Sequence, residues 1–356
     1  MMMLLSCCAR RAILRSAAVI GIALASAGAY GQTAPAGKTT LTVYTSLQKE
    51  VLVPYQEAFQ KAHPDIEIGW VRDAGGVIHS RLLAERDNPR ADVIFGLPVT
   101  DILSLYNEGL IEPYAPKGSD KLKKHFKDTR VPQVWTGIDM YLNIICFNTV
   151  EAKQRNLPRP AHWADLADPV YKGQVSMPDP AISNTGYGYV SHWVQTMGEA
   201  EAWKFMDALH ENIAIYTSSS STPCKFASTG EYAVGLSTDL TAPQLKSKGA
   251  PIDIVIPSEK TAWDVESMAL LKGSRKPEAA KTLLDWGASR EANEQYIRFI
   301  GSVAMPDLAN KPPPNSLQDG DAMAADLDLQ WSIDNRTRLI AEWSRRYAAK
   351  SEAKAK

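Results

Sequence analysis

Hydrophobic and polar residues alternate along Leu41-Thr42-Val43-Tyr44, and the run closes on Thr45-Ser46. A period of two predicts a half-buried strand. From Glu50 to Ala62 the spacing changes. Val51, Leu52, Tyr55, Phe59 and Ala62 fall on one helical face, and Pro64 ends the run. Ile66 to Val71 alternates again, and Asp73-Ala74-Gly75-Gly76 reads as a turn. Ile78 to Glu85 is helical, Ala91 to Gly96 is a third strand, and Asp101 to Asn107 is a short helix. The order β-α-β-α-β-α predicts a mostly parallel sheet with helices on both faces. In open sheets of this kind ligands bind beyond the carboxyl ends of the strands. Here those ends are polar or glycine-rich: Tyr44-Thr45-Ser46, Asp73 to Gly76, and Gly96 to Thr100.

A second set of elements begins with the strand Tyr141–Phe147, which ends in Asn148-Thr149. Gly173–Met177 is another strand. Ser183-Asn184-Thr185-Gly186 then opens an aromatic helix from Tyr187 to Met197, and Ala200–His210 is a further helix. The strand Ile213–Tyr216 runs into the hydroxyl cluster Thr217–Thr222. A helix follows Pro223-Cys224 to Thr229, and the strand Tyr232–Leu236 ends at Ser237-Thr238-Asp239. These segments make a second α/β lobe with its own hydroxyl-rich strand ends. Ile252–Pro257 and Asp264–Leu271 lead back toward the first lobe. Pro277–Trp286 is a helix with proline near its first position. Residues 308–320 are irregular, Trp331–Ala349 is a final helix, and Lys350–Lys356 should fray. The predicted division is residues 40–138 with 265–306 as lobe 1, 139–264 as lobe 2, and 307–356 as an extension ending in a helix.

Composition narrows the class. The chain has 356 residues, 45% hydrophobic and 22% charged, enough for a substantial core. Arg10, Arg11 and Arg15 precede the apolar stretch Ala17–Ala25, and small residues follow to Gly31. That is the layout of an export signal over residues 1–31, too short to span a bilayer. Excluding the three leader arginines takes the formal charge from −1 to −4. With no basic block or stripe, nucleic acid is excluded as the expected partner. Cys7 and Cys8 precede the apolar stretch. Cys146 and Cys224 remain after it, and an exported protein can pair them or bury them as separate thiols.

Several stretches, in order along the chain, carry a family likeness. They are Leu41-Thr-Val-Tyr-Thr-Ser46, Ala91-Asp-Val-Ile-Phe-Gly-Leu97, Glu108 to Gly118, Ile145-Cys-Phe-Asn-Thr149, Trp163-Ala-Asp-Leu166, Pro169 to Gln174, Met206 to His210, Pro223-Cys-Lys225, Trp263-Asp-Val-Glu266 and Ala288 to Glu294. The chain from about 40 to 306 resembles the periplasmic substrate-binding proteins of ABC transporters in the ferric-iron and phosphonate group. Within that group it is most similar to 2-aminoethylphosphonate-binding proteins. The resemblance implies a type II periplasmic-binding-protein-like fold, two α/β lobes with a ligand cleft at a two-strand hinge. It implies closure on a small anionic ligand, delivery to membrane permease subunits, a monomer, no cofactor, and a Cys146–Cys224 pair. It departs from the aminoethylphosphonate binders at Ala74-Gly75, where they carry hydroxyl residues, and at Asp239-Leu240, where they carry an acidic-aromatic pair. A different phosphonate, a phosphate ester or another small anion therefore stays open.

A phosphonate needs hydrogen-bond donors, which backbone N–H groups and short hydroxyls provide. The expected contacts are Tyr44, Thr45, Ser46, Gly75, Ser183, Asn184, Thr185, Gly186, Ser219 and Ser220. Ser183 to Gly186 can cap its helix and expose N–H groups to an anion at once. An aminoalkyl group calls for a carboxylate, and Asp239 and Asp264 are the candidates, Asp264 equally a hinge or capping residue. Tyr44, Tyr187 and Trp263 are possible walls. Ferric iron is the metal alternative, but Tyr187 and Tyr189 stand two apart and no tyrosine pair offers converging hard ligands. A secreted hydrolase is the alternative of another class. No Gly-x-Ser-x-Gly, His-Glu-x-x-His or phosphate-loop motif supports it, and no catalytic residue or metal ligand is assigned.

Overall fold

The computed structural model describes residues 37–308 and 312–352. The export signal, with Cys7 and Cys8, lies outside the described residues, as does most of the tail expected to fray.

The first lobe is built from β1 (Thr39–Thr45), α1 (Lys49–Ala62), β2 (Ile66–Arg72), α2 (Gly75–Ala84), β3 (Val93–Pro98), α3 (Val99–Asn107) and the short β4 (Ile111–Glu112). The chain leaves it along β5 (Thr136–Asn148), which α4 (Thr149–Arg155) follows. The second lobe contains β6 (Val175–Pro178), α5 (Asn184–Met197), α6 (Glu199–Asn212), β7 (Ile213–Thr217), α7 (Thr222–Thr229), β8 (Val234–Thr238), α8 (Ala242–Ser247) and β9 (Ile252–Val255). The return path is β10 (Trp263–Leu271), followed by α9 (Pro277–Gly287), α10 (Arg290–Tyr296), α11 (Gly320–Met323) and α12 (Leu329–Tyr347).

The strand order is β2-β1-β3-β10-β5-β8-β6-β7, with β4 beside β10 and β9 beside β5. β1 lies parallel to β2 and β3, and β6 parallel to β7 and β8, as the βαβ order requires. The expectation of a mostly parallel sheet holds only within these units. β10 runs antiparallel to β3, β4 and β5, and β5 antiparallel to β8 and β9. The reason is connectivity: β5 carries the chain out of one lobe and β10 brings it back alongside.

The first half of β5 pairs with β10 and its second half with β8 and β9, so one strand belongs to both sheets. All 13 residues of β5 are buried. That full burial, which removes the period-two signal, explains why the sequence pattern showed only its later part. Two hydrophobic clusters flank the crossing, one around Tyr55, Phe59, Phe95 and Tyr296, the other around Trp163, Tyr189 and Trp193. α12 does not stand apart from this plan. Leu339, Trp343 and Tyr347 pack into the second cluster, with Trp343 edge-on to Tyr216 at 4.9 Å.

The sulfurs of Cys146 on β5 and Cys224 in the first turn of α7 are bonded, with Cα atoms 5.4 Å apart. The start of α7 is seated closely on β8. A Cβ at Gly235 would lie 2.1 Å from Pro223 O, so only glycine fits there.

Candidate functional site

The strand ends of both lobes open onto one cleft of about 510 Å³. Its walls are Ser46 after β1, the Arg72–Gly76 segment after β2, Ser183–Thr185 at the start of α5, Ser218–Ser221 after β7 and Thr238 at the end of β8. Its floor includes Tyr141 of β5 and Glu266 of β10. The two sides touch across it. Asn184 Nδ2 donates to Asp101 Oδ2 of α3 at 2.7 Å, and Gln244 Nε2 donates to Gln48 Oε1 at 3.1 Å.

Three helix starts face this space. The N–H groups of Gly75 and Gly76 at α2, Asn184 and Thr185 at α5, and Ser219, Ser220 and Thr222 before and at α7 have no protein acceptor among the described residues. Free N–H groups at helix N-termini carry a partial positive charge that favours anions. Three such ends converging on one cleft make a cradle for an oxyanion.

The side chains divide more sharply than the sequence suggested. Ser46 lines the cleft, but its hydroxyl donates to Gly96 O at 2.9 Å, leaving it an acceptor there. Ser183 lines it too, while its Oγ accepts from Gly186 N at 3.3 Å as a helix cap. Asn184 is occupied at both ends, since Oδ1 accepts from Arg336 Nη2 at 2.7 Å and Nδ2 holds Asp101. It offers the ligand its backbone. Asp101 Oδ1 also lies 3.3 Å from His79 Nδ1, a pair within ion-pair distance whose alignment makes no hydrogen bond. Thr185, Gly75, Ser219 and Ser220 line the cleft, and Ser219 Oγ lies 3.1 Å from Ser221 Oγ.

Five expected contacts point elsewhere. Tyr44 donates its hydroxyl to the Glu85 carboxylate, at 2.9 Å to Oε2. Thr45 is fully buried and its Oγ1 accepts from Leu47 N. Gly186 is packed on the Pro178–Pro180 backbone, where a Cβ would meet Pro178 O at 2.5 Å. Asp239 accepts from Leu142 N at 2.8 Å. Asp264 caps α3, accepting from Val99 N at 3.1 Å and Thr100 Oγ1 at 2.7 Å. In each case a strand end or helix start presents only some of its side chains outward, and the rest satisfy local backbone. The suggested walls Tyr187 and Trp263 are also committed. The Tyr187 hydroxyl donates to Ser332 O and Trp263 Nε1 to Ala325 O.

The cleft's charged groups were not read from the sequence. Arg72 ends β2 and lines the cleft. Its Nε donates to Leu47 O at 2.7 Å, which fixes the guanidinium and leaves its other N–H groups without a protein acceptor among the described residues. Lys49 and Lys225 also line it, opposed by Glu50, Asp73 and Glu266. Glu266 had a signal available: it is the one charged residue in the run Val265–Leu271, which is apolar apart from it and Ser267. Among the described lining residues there is no histidine, so the serines have no general base of the triad kind. The lining contains one tyrosine, Tyr141, where a hard ferric ion requires several converging oxygen ligands.

Burial raises Glu266 and the carboxyls packed around it beneath the cleft. Asp239 and Asp264 are each pushed up to about 7, Asp264 despite the donors it accepts from. Glu266 is pushed up to about 8 by burial and then by the nearby Asp264 charge. Asp139, opposite Glu266 in the β5–β10 register, is fully buried with neither carboxyl oxygen hydrogen-bonded, and is raised well above the usual range. A carboxyl whose folded value is raised stabilises the fold below its unfolded value and loses that contribution as pH rises through the folded one. Burial lowers His192 to about 4 and lowers His210, so both histidines act in the opposite sense only below their unfolded value of 6.5. The range above that isolates the carboxyls. Between pH 6.5 and 8.5 the melting temperature of the ligand-free protein should fall by about 3–5 °C. Calorimetric melts in that range test it, and a flat or rising profile would contradict the buried-acid floor.

Two α/β lobes, crossing strands between them and a cleft lined by free backbone N–H groups at the strand ends are the architecture of a solute-binding protein. A model of the bacterial extracellular solute-binding protein family matches residues 88–323, and the chain belongs to that family. Over 288 residues it is 26% identical to a probable ABC transporter periplasmic-binding protein, y4fP, of Sinorhizobium fredii, covering 78% of each chain. Its fold is similar to that of the periplasmic binding protein AfuA from Actinobacillus pleuropneumoniae, solved with fructose-6-phosphate bound. The TM-score is 0.80 at 26% identity, covering 88% of this chain and 99% of that one. Iron-bound HitA from Pseudomonas aeruginosa shares the fold at 19% identity, with a TM-score of 0.74 over 85% of this chain and 99% of that one.

Proposed function

We propose that this chain captures a small organophosphonate carrying an amine, 2-aminoethylphosphonate being the type, in the periplasm. It then delivers the ligand to the permease subunits of an ABC importer. The observation that supports this reading most is the convergence of three helix starts with free N–H groups and Arg72 on one cleft. A phosphonyl group takes those donors while its charge is matched by the guanidinium. The ammonium pole then meets Glu266 and the face of Tyr141 on the floor. Lining charges of both signs suit a zwitterion better than a bare anion. The likeness to y4fP supports the importer role, and closure of the two lobes would exclude water from the pair. The division into lobes at residues 40–138 with 265–306 and 139–264 belongs to this proposal.

A second reading, a phosphate ester, is favoured by the AfuA likeness, because that protein was solved with fructose-6-phosphate. Both use the same phosphoryl cradle and differ in what the floor accepts. Titration calorimetry against 2-aminoethylphosphonate, methylphosphonate, fructose-6-phosphate, inorganic phosphate and ferric citrate separates them. Tightest binding of 2-aminoethylphosphonate is expected. Preference for fructose-6-phosphate moves the assignment to sugar phosphates, and heat from ferric citrate alone ends the phosphonate reading.

A further inference from the structure

The serine segment 218–221 is short, small and polar, so by itself it would sample many conformations. Its own lobe holds part of it, since Thr217 Oγ1 donates to Ser219 O at 2.9 Å and Ser237 Oγ to Ser220 O at 2.7 Å, and the segment that follows α12 holds its first residue, Ser218. Lys350 Nζ donates to His210 O and Ile213 O, anchoring that segment beside the start of β7. Ser351 then pairs in parallel with Tyr216, and Glu352 N donates to Tyr216 O at 2.8 Å. This adds a short rung to β7, which ends the strand order.

From that position two side chains reach the two ligand loops of the second lobe. Glu352 Oε2 accepts from both the N–H and the hydroxyl of Ser218, each at 2.9 Å. Ser351 Oγ donates to Asp179 Oδ2 at 2.7 Å. Asp179 in turn organises the turn that delivers Ser183 to Thr185. Its Oδ1 accepts from Ala181 N, and its carbonyl accepts from Ile182 N and Ser183 N. Its own N–H donates to Thr217 O, tying that turn to the serine segment. Neither Ser351 nor Glu352 lines the cleft, so any effect on ligand passes through the loops they hold.

We propose that Ser351 and Glu352 are positioning residues for the ligand cleft, holding the Ser218–Thr222 and Asp179–Thr185 loops from behind in the geometry that binds the anion. The proposal rests on the phosphoryl-binding reading of the cleft. Its physical basis is preorganisation: loops ordered before binding do not have to be ordered by the ligand. Glu352 also uses the Ser218 N–H itself, so the anion is left the N–H groups of Ser219, Ser220 and Thr222.

Glu352→Gln and Ser351→Ala, made singly and together in the full chain, test this with three readouts. These are hydrogen exchange of amides 217–222 and 181–186 without ligand, titration with 2-aminoethylphosphonate, and the melting temperature. Faster exchange confined to those loops is expected, with binding weakened on the order of tenfold and the melting temperature unchanged. Unchanged loop exchange overturns the proposal. So does weakening that only follows a lower melting temperature, which makes the segment merely structural. Tighter binding also overturns it, because Glu352 would then compete with the anion for Ser218. If the wild-type protein binds neither phosphonates nor phosphate esters, the functional reading fails instead, and the exchange data still decide whether the segment orders the loops.

Discussion

Arg72→Ala should weaken 2-aminoethylphosphonate by about 100-fold, the scale of a lost charge-assisted pair in a water-excluded site. Arg72 is the last residue of β2, where the sheet opens onto the cleft, and its Nε is tied to Leu47 O. The bond costs the guanidinium one donor and holds the rest in place, so little side-chain entropy remains to be lost on binding. Because Arg72 is exposed, with no ion pair among the described residues, its loss should leave folding almost untouched. Arg72→Lys should recover only part of the affinity, since an ammonium cannot reproduce the planar fork. Titration calorimetry with parallel melts reads both quantities. An unchanged dissociation constant in Arg72→Ala would remove Arg72 from the phosphonyl site and leave the helix starts to act alone.

The second large effect is one of selectivity. Glu266→Gln should weaken 2-aminoethylphosphonate by about 30-fold and leave methylphosphonate unaffected, because only the first offers an ammonium to a floor carboxylate. The pH dependence follows from the raised value of about 8. At neutral pH the free protein holds Glu266 largely protonated, next to a buried and unpaired Asp139. An ammonium on the floor favours the carboxylate, so binding should release a proton below about pH 8. Affinity for the aminophosphonate should therefore climb from pH 6.5 to 8.5 and then fall as the ligand amine titrates, near the lysine range of about 10.4. Methylphosphonate serves as the reference that subtracts ionisation of the phosphonyl group. Equal pH profiles for the two ligands, or equal losses in Glu266→Gln, would show that the amine does not sit at Glu266.

The split between Ser183-Asn184-Thr185 and Gly186 shows how far strand-end reasoning carries. That stretch was found because small polar residues before an aromatic helix mark a capped N-terminus, and the cap is there. Which atoms remain for a ligand was decided by neighbours distant in sequence. Asp101 and Arg336 take the Asn184 amide, and the Pro178–Pro180 backbone takes the space beside Gly186. Asp239 and Asp264 were expected contacts because an aminoalkyl group calls for a carboxylate. Both are spent on backbone N–H groups, and Glu266, two residues beyond Asp264, lines the floor instead. Arg72 carries no pattern of its own, being a lone cation that closes an alternating strand, and only its place as the last residue of β2 turns it to the same opening as the polar turn after it.

By itself the sequence determined the local elements of each lobe, because alternation and helical spacing record which side of a segment is buried. It also pointed to where the cleft opens, since the hydroxyl- and glycine-rich ends Ser46, Gly75 and Ser219-Ser220 line it. Only the tertiary structure decided the rest. The antiparallel crossing of β5 and β10 leaves no periodic trace, because those strands are buried on both faces. The cleft's charges, among them Arg72 at the end of β2, Lys225 near the start of α7 and Glu266 within β10, are brought together from elements far apart in sequence. The segment after α12, expected to fray, is held beside β7 at Ser351 and Glu352 by bonds to residues more than a hundred positions away, a relation no local pattern encodes.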